Sequence, residues 1–249
     1  MLKDFSADKF DIIIQAGQSN SEGYGFGAVA EPFTPSDNIY YLNNDFTISF
    51  AGEIVYGNDI ASNFSLSFCN EYIDNNMLQS GRKILIVRSA VGGTGFLDNH
   101  WKLEDDLFLR MMEMVKTALD LNPANRLVAL LWHQGETDAI LNASKETHYN
   151  NLSKLVTTVR NTFVSPLLPF IAGDFVHQWK NQNLEICGPV IEAVKRVCSE
   201  IGNAGFVTTE NLKSNDEQTG NGDTIHFSRQ SLYELGNRYF EAYKKLEKI

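Results

Sequence analysis

The sequence lacks any apolar run of 18 residues, so nothing in it is long enough to cross a bilayer core. It is also short of positive charge. Its 21 lysines and arginines face 31 aspartates and glutamates, for a net charge of −10. Binding along a phosphate backbone or on an anionic membrane surface wants a basic face, so neither nucleic acid nor membrane is expected as a partner. Cysteine is scarce. Cys69, Cys187 and Cys198 cannot all pair and follow no Cys-x-x-Cys spacing, which favours buried free thiols over a disulfide framework. At the start, Met1 to Phe10 carries Lys3, Asp4, Asp8 and Lys9, and the apolar run Ile12 to Ile14 is too brief for the core of a secretory signal. A cytoplasmic protein is the expectation, although a removed export signal would leave the same sequence.

What is present is ordinary globular composition over 249 residues, 43% hydrophobic and 21% charged. Continuous apolar runs alternate with helical patterns. Residues 11–15, 83–88, 127–132 and 169–173 read as buried strands, and 205–209 as a weaker fifth. Runs without polar alternation suit a parallel sheet covered on both faces. Helices are expected at about 60–78, 104–121, 146–165, 188–202 and 229–247. In the second, Leu107, Leu109, Met111, Met112, Met114 and Val115 recur at helical spacing, and the methionines read as core rather than cofactor contacts. The alternation implies one doubly wound α/β domain over residues 1–249, with about five parallel strands. The stretch 20–58 reads as an irregular insertion beside the site.

Ligands of an open parallel sheet bind outside the C-terminal ends of its strands. Four polar clusters fall there: Gly17-Gln18-Ser19-Asn20, Gly92-Gly93-Thr94-Gly95, His133-Gln134-Gly135-Glu136-Thr137-Asp138 and Gly222-Asp223-Thr224-Ile225-His226-Phe227. A serine hydroxyl is a poor nucleophile until a base takes its proton, so Ser19 needs a histidine. His226 fits best of the five, because Asp223 three residues before it can reach the imidazole Nδ1–H and set the tautomer. A helix-capping serine, a capping aspartate beside an unrelated histidine and a flexible glycine turn are the plainer readings of the same residues. Glycine N–H groups and the Gln134 amide are candidate donors to an oxyanion. The lysine and Ser/Thr of a phosphate-binding loop are absent from the glycine cluster.

Together these blocks, in this order from residue 17 to 226, resemble the SGNH hydrolase superfamily. More narrowly they are similar to the branch holding sialate O-acetylesterases and the acetylxylan esterases of carbohydrate esterase family six. The resemblance implies a flavodoxin-like three-layer α/β/α sandwich and a serine esterase without a cofactor or metal. It implies Ser19 as nucleophile, His226 as base and Asp223 as its orienter. It also implies an oxyanion hole of the Ser19 N–H, a glycine N–H near Gly93 and the Gln134 amide. Gln18, Asn20, Glu136 and Asp138 are candidate supporting residues, with Glu136 the alternative partner for His226. The turn Gly-Gln-Ser-Asn-Ser lacks the second glycine of an α/β-hydrolase elbow.

Lesser candidates follow. His133 and Glu136 have a ligand-like spacing without a third ligand. Trp101, with His100, is a candidate wall of a sugar pocket, and Asp174 and His177 are candidates for the cleft rim. The implied activity is removal of O-acetyl groups from carbohydrate such as acetylated xylan or sialic acid. Two alternatives stay open at this point. One is a lipase or thioesterase of the same superfamily, which an acyl chain-length series would separate. The other is a non-catalytic carbohydrate-binding relative, which has no need of all three of Ser19, Asp223 and His226.

Overall fold

A computed structural model describes residues 4–246. Nine strands and nine helices are found among them. The chain opens with β1 (Lys9–Gly17) and the single turn α1 (Ser19–Glu22), then four short strands: β2 (Ile39–Leu42), β3 (Ile48–Phe50), β4 (Ile54–Tyr56) and β5 (Asp59–Ala61). There follow α2 (Phe64–Asp74), β6 (Arg82–Arg88), α3 (Asp106–Asp120), β7 (Arg126–His133), α4 (Glu136–Ile140) and α5 (Lys145–Thr162). The last third holds β8 (Phe170–Gly173), α6 (His177–Gln182), α7 (Leu184–Glu200), β9 (Ala204–Val207), α8 (Asn215–Thr219) and α9 (Arg229–Leu246).

Seven strands form one sheet in the order β3-β2-β6-β1-β7-β8-β9, while β4 and β5 make a separate hairpin. Every neighbour pair in the large sheet is parallel except β2–β3. The five expected parallel strands are all present, and two more lie at the edge. Both come from the stretch read as irregular. Ile39-Tyr40-Tyr41-Leu42 is fully buried but only four residues long, and β3 only three, too short for a period to stand out.

Strand alternation sends successive side chains of β1 to opposite faces. Phe10, Ile12, Ile14 and Ala16 join a core that includes Met111, Met114 and Val115 of α3 and Leu152 and Leu155 of α5. Ile13 joins the other core, with Phe64 and Phe68 of α2 and Leu235, Tyr239 and Phe240 of α9. A helical layer therefore covers each face of the sheet, as a strand apolar on both sides requires. The buried Asp11 on β1 is met by Arg82 Nε at 2.6 Å, Arg126 Nε at 2.7 Å and the Tyr72 hydroxyl at 2.9 Å. All three cysteines are free and buried. No helix among the described residues is long and apolar enough to cross a membrane.

Two helix boundaries depart from expectation. α2 begins at Phe64 because the chain before it is spent on β5, and Asn63 caps it by accepting the Ser65 N–H. α7 begins at Leu184, with Pro189 inside it rather than at its start. As the sixth helical residue, Pro189 forfeits the bond its N–H would have made to the Glu185 carbonyl, and the helix continues through it.

Chain topology places the site. β1 is central, flanked by β6 and β7; the chain goes out to β2 and β3 on one side, returns to β6, and then crosses to β7, β8 and β9 on the other. The C-terminal ends of β6, β1 and β7 thus lie side by side at the crevice where the connections diverge. On the outer layer, α2 and α9 touch at Gly236, where an added Cβ would stand 2.1 Å from the Phe64 carbonyl oxygen. Gly236→Ala is therefore expected to lower stability by about 1–3 kcal/mol through overpacking, measured as the midpoint of urea unfolding.

Candidate active site

The serine turn is built on a backbone contact. Gly17 ends β1 at φ +122°, and a Cβ there would lie 2.1 Å from the His133 carbonyl oxygen, so only glycine fits. The Gln18 N–H donates to that same carbonyl at 2.9 Å, pinning the turn to the end of β7. Gln18 Oε1 accepts from the N–H groups of Gly135 and Thr137 at 3.3 and 3.2 Å. Ser19 then stands first in α1, and its N–H has no partner among the described residues.

His226 arrives from the far end of the chain. Its Nε2 lies 2.8 Å from Ser19 Oγ, and its Nδ1 lies 3.0 and 2.9 Å from the two Asp223 oxygens. With the proton on Nδ1, Nε2 is left to accept the serine hydroxyl proton. Burial works against the charged Asp223 carboxylate, but hydrogen bonds from His226 and Asn215 outweigh it and hold its pKa below the ordinary value. This row meets the geometric requirement for general-base activation of a hydroxyl.

Asn20 holds the histidine loop in place. Its Nδ2 donates to the Ile225 carbonyl at 3.0 Å and to Glu136 Oε1 at 2.7 Å, while its Oδ1 accepts the Phe227 N–H at 3.0 Å. The residues on both sides of His226 are thereby tied to the residue after Ser19.

The two carboxylates after β7 do different things. Asp138 is buried and accepts the N–H groups of Phe96 and Leu97 and the Gln134 amide. It fixes the path of the glycine loop. Glu136 is also fully buried, bonded to Asn20 rather than to the His226 ring. Its Oε1 lies 3.7 Å from His133 Nε2, yet the two are no ion pair. Burial pushes the Glu136 pKa up and that of His133 down to about 3, so each favours its neutral form. His133 Nδ1 meets the Tyr239 hydroxyl at 3.0 Å, inside the core.

Two expected site residues lie elsewhere. Trp101 is completely buried, with its indole edge-on to Trp132 and its Nε1–H on Thr94 Oγ1 at 2.9 Å, so it is packing and not a pocket wall. Gln134 does not face the cleft either. Its Nε2 donates to Asp138 at 2.8 Å and points to the Thr94 carbonyl at 3.4 Å, because the Asp138 carboxylate four residues on is the stronger acceptor. The donors that do face the cleft are backbone groups. Gly93 lines it at φ +72°, and its N–H has no partner among the described residues. The neighbouring Gly92 N–H is taken by Glu22 Oε2 at 2.6 Å. Asp174 is tied to Lys180, and neither it nor His177 lines the cleft.

The cleft has a volume of about 470 Å³. Besides Ser19, His226 and Gly93 it is walled by Ile225, from the histidine cluster, and by Glu22, Tyr24 and Ile140, which the sequence had not marked. Tyr24 stacks on the His226 ring at 5.4 Å. Asn215 was also unmarked. Its Nδ2 donates to Asp223 Oδ2 and to the Tyr24 carbonyl, both at 2.8 Å, and its own N–H donates to the His226 carbonyl at 2.8 Å. The signal available for it was the capping box Ser214-x-x-Glu217, which starts a helix at this residue.

Residues 9–245 match the family described as "Carbohydrate esterase, sialic acid-specific acetylesterase". Over 178 residues the chain is 26% identical to the probable carbohydrate esterase At4g34215 of Arabidopsis thaliana. That match spans 64% of this chain and 66% of the relative, just under two thirds of its length. Among solved structures, NanS superposes with a TM-score of 0.81 at 16% identity, covering 97% of this chain and 98% of that one. The Arabidopsis protein superposes with a TM-score of 0.73 at 22% identity, covering 94% and 98%. Likenesses at this identity concern the fold.

Because Glu136 is held toward its neutral form, its effect on stability has a definite sign. A carboxyl whose pKa is raised on folding gives full stability below its unfolded pKa and loses it as pH rises toward the folded value. Glu136→Gln keeps the acceptor for Asn20 and removes that loss. The variant is expected to melt within a few degrees of wild type at pH 4 and no lower than wild type at pH 7, measured by circular dichroism across that range.

Proposed function

Because the chain belongs to the carbohydrate esterase family of sialic acid-specific acetylesterases, we propose that it removes O-acetyl groups from carbohydrate through an acetyl-enzyme formed on Ser19. The observation that carries this reading is the continuous contact from Ser19 Oγ through His226 to Asp223, with 2.8 Å at the serine end and 2.9 Å at the acid end.

In the first half-reaction Ser19 Oγ attacks the acetyl carbonyl carbon while His226 Nε2 takes the hydroxyl proton. Asp223 stabilises the imidazolium from the Nδ1 side. The tetrahedral oxyanion is met by the N–H groups of Ser19 and Gly93, two cleft-lining residues whose N–H groups have no other partner among the described residues. As the intermediate collapses, His226 returns the proton to the sugar oxygen, which leaves as a hydroxyl. Water then attacks the acetyl-Ser19 carbonyl, His226 takes its proton, and acetate departs as Ser19 is re-formed. Gln134 takes no direct part and acts through Asp138 on the glycine loop. Glu136 acts through Asn20 on the histidine loop.

Acetate release from acetylated xylan and from O-acetylated sialic acid tests the reading. Ser19→Ala is expected to lose at least about 10³-fold in kcat while its circular dichroism stays that of wild type. Asp223→Asn is expected to lose about 10²–10⁴-fold, far more than Glu136→Gln, because the amide favours the wrong ring tautomer. Turnover near wild type in folded Ser19→Ala contradicts the nucleophile, and a heavier loss in Glu136→Gln than in Asp223→Asn contradicts the acid.

A further inference from the structure

Two features of the cleft bear on which sugar it takes. The first is charge. Among the described residues no lysine or arginine lines the cleft, and its lining carboxylate is Glu22. Glu22 stands close to the reacting group: a Cβ on Gly92 would lie 3.2 Å from Glu22 Oε2 and 3.4 Å from Ser19 Cβ, so the two flank the same point. Arg88, the cation beside Glu22, does not line the cleft and so makes no direct contact with a ligand there. It sends Nη2 to the Glu22 backbone carbonyl at 3.3 Å and lays its guanidinium over the Tyr41 ring at 5.3 Å, outside the cleft lining. The net charge of −10 adds a field of the same sign.

The second feature is aromatic. Beyond His226 the Tyr24 ring leads to Tyr56 at 5.8 Å, and Tyr56 sits 37% exposed on the β4–β5 hairpin. The C–H faces of a sugar ring pack on such rings without any charge partner. A sugar carboxylate instead asks for a cation or a cluster of free donors.

Resting on the reading of Ser19 as nucleophile, we propose that this cleft selects electrically neutral acetylated sugars, with Glu22 turning away sugars that carry a carboxylate and the Tyr24–Tyr56 pair receiving the sugar face. The preference is thus the reverse of what the family's description suggests. Two like charges held roughly 8 Å apart at a partly screened site discriminate on the order of tenfold.

The test compares kcat/KM for three acetyl esters: 4-nitrophenyl acetate, an O-acetylated methyl glucoside and the matching O-acetylated methyl glucuronide, which differs from the glucoside only by its carboxylate. An O-acetylated sialic acid serves as a second anionic substrate. Wild type is expected to favour the glucoside over both acids by about tenfold at low salt, and 0.5 M sodium chloride should narrow that ratio several-fold. Glu22→Gln, which keeps an acceptor for the Gly92 N–H, should narrow it similarly at low salt by raising kcat/KM for the acids. Tyr56→Ala should raise KM for the glucoside several-fold more than for 4-nitrophenyl acetate. Equal or better hydrolysis of the acids, or a ratio that neither salt nor Glu22→Gln moves, overturns the charge selection. Equal effects of Tyr56→Ala on both neutral esters overturn the aromatic face. The salt series on wild type decides the charge question if Glu22→Gln does not fold. Inactivity toward all the esters, 4-nitrophenyl acetate included, overturns the serine esterase reading itself and this inference with it.

Discussion

A histidine must be brought within hydrogen-bonding distance of a serine 207 residues away, and the arrangement of the crevice serves that requirement. Asn20 does most of the holding. It sits beside Ser19 and uses its amide to grip the chain on both sides of His226, with Glu136 securing its remaining N–H. Asn215 performs the same service one step out, binding the Asp223 carboxylate and the His226 carbonyl and tying both to the segment that carries Tyr24. Each of these amides replaces water that the buried backbone groups would otherwise need.

Charge around the crevice is distributed unevenly. Behind it, Glu136 and His133 are packed where burial favours the uncharged form of each. An ionised pair there would have to recover a desolvation cost of several kcal/mol per ion, which a 3.7 Å separation does not do. Asp138 differs because it is surrounded by donors: burial raises its pKa, but contacts from His148 and the backbone N–H groups of Leu97 and Phe96 bring it below the ordinary value. Surrounding donors thus favour the ionised form of the acid that shapes the glycine loop, while burial disfavours it in the acid that anchors Asn20. That division separates two acids only two residues apart on a single turn of helix.

The parallel strands were legible because their apolar runs are continuous, and the pairing of Asp223 with His226 because three residues of spacing brings them together without help from the fold. The position of Ser19 in the crevice was legible from its place after a strand and a glycine. The edge strands β2 and β3 were not, being too short to display a period. Glu22, Tyr24 and Asn215 owe their places to contacts with segments distant in the chain, which leave no local pattern. Trp101 misled because an aromatic after a glycine cluster faces core or cleft according to the loop's path, and Asp138 sets that path from 41 residues away. Gln134 misled for a related reason, its donor being claimed by the same carboxylate.

The central claim is that Ser19 becomes covalently acylated with His226 as its base. Reaction with diethyl 4-nitrophenyl phosphate, followed by peptide sequencing in a mass spectrometer able to separate Ser19 from Ser21, tests it most directly. Stoichiometric release of nitrophenolate should accompany loss of esterase activity, with the diethylphosphoryl group on Ser19 alone, and His226→Ala should slow the labelling by about 10²-fold or more. Full inactivation with the label on another residue, or labelling of Ser19 at the wild-type rate without His226, would contradict it.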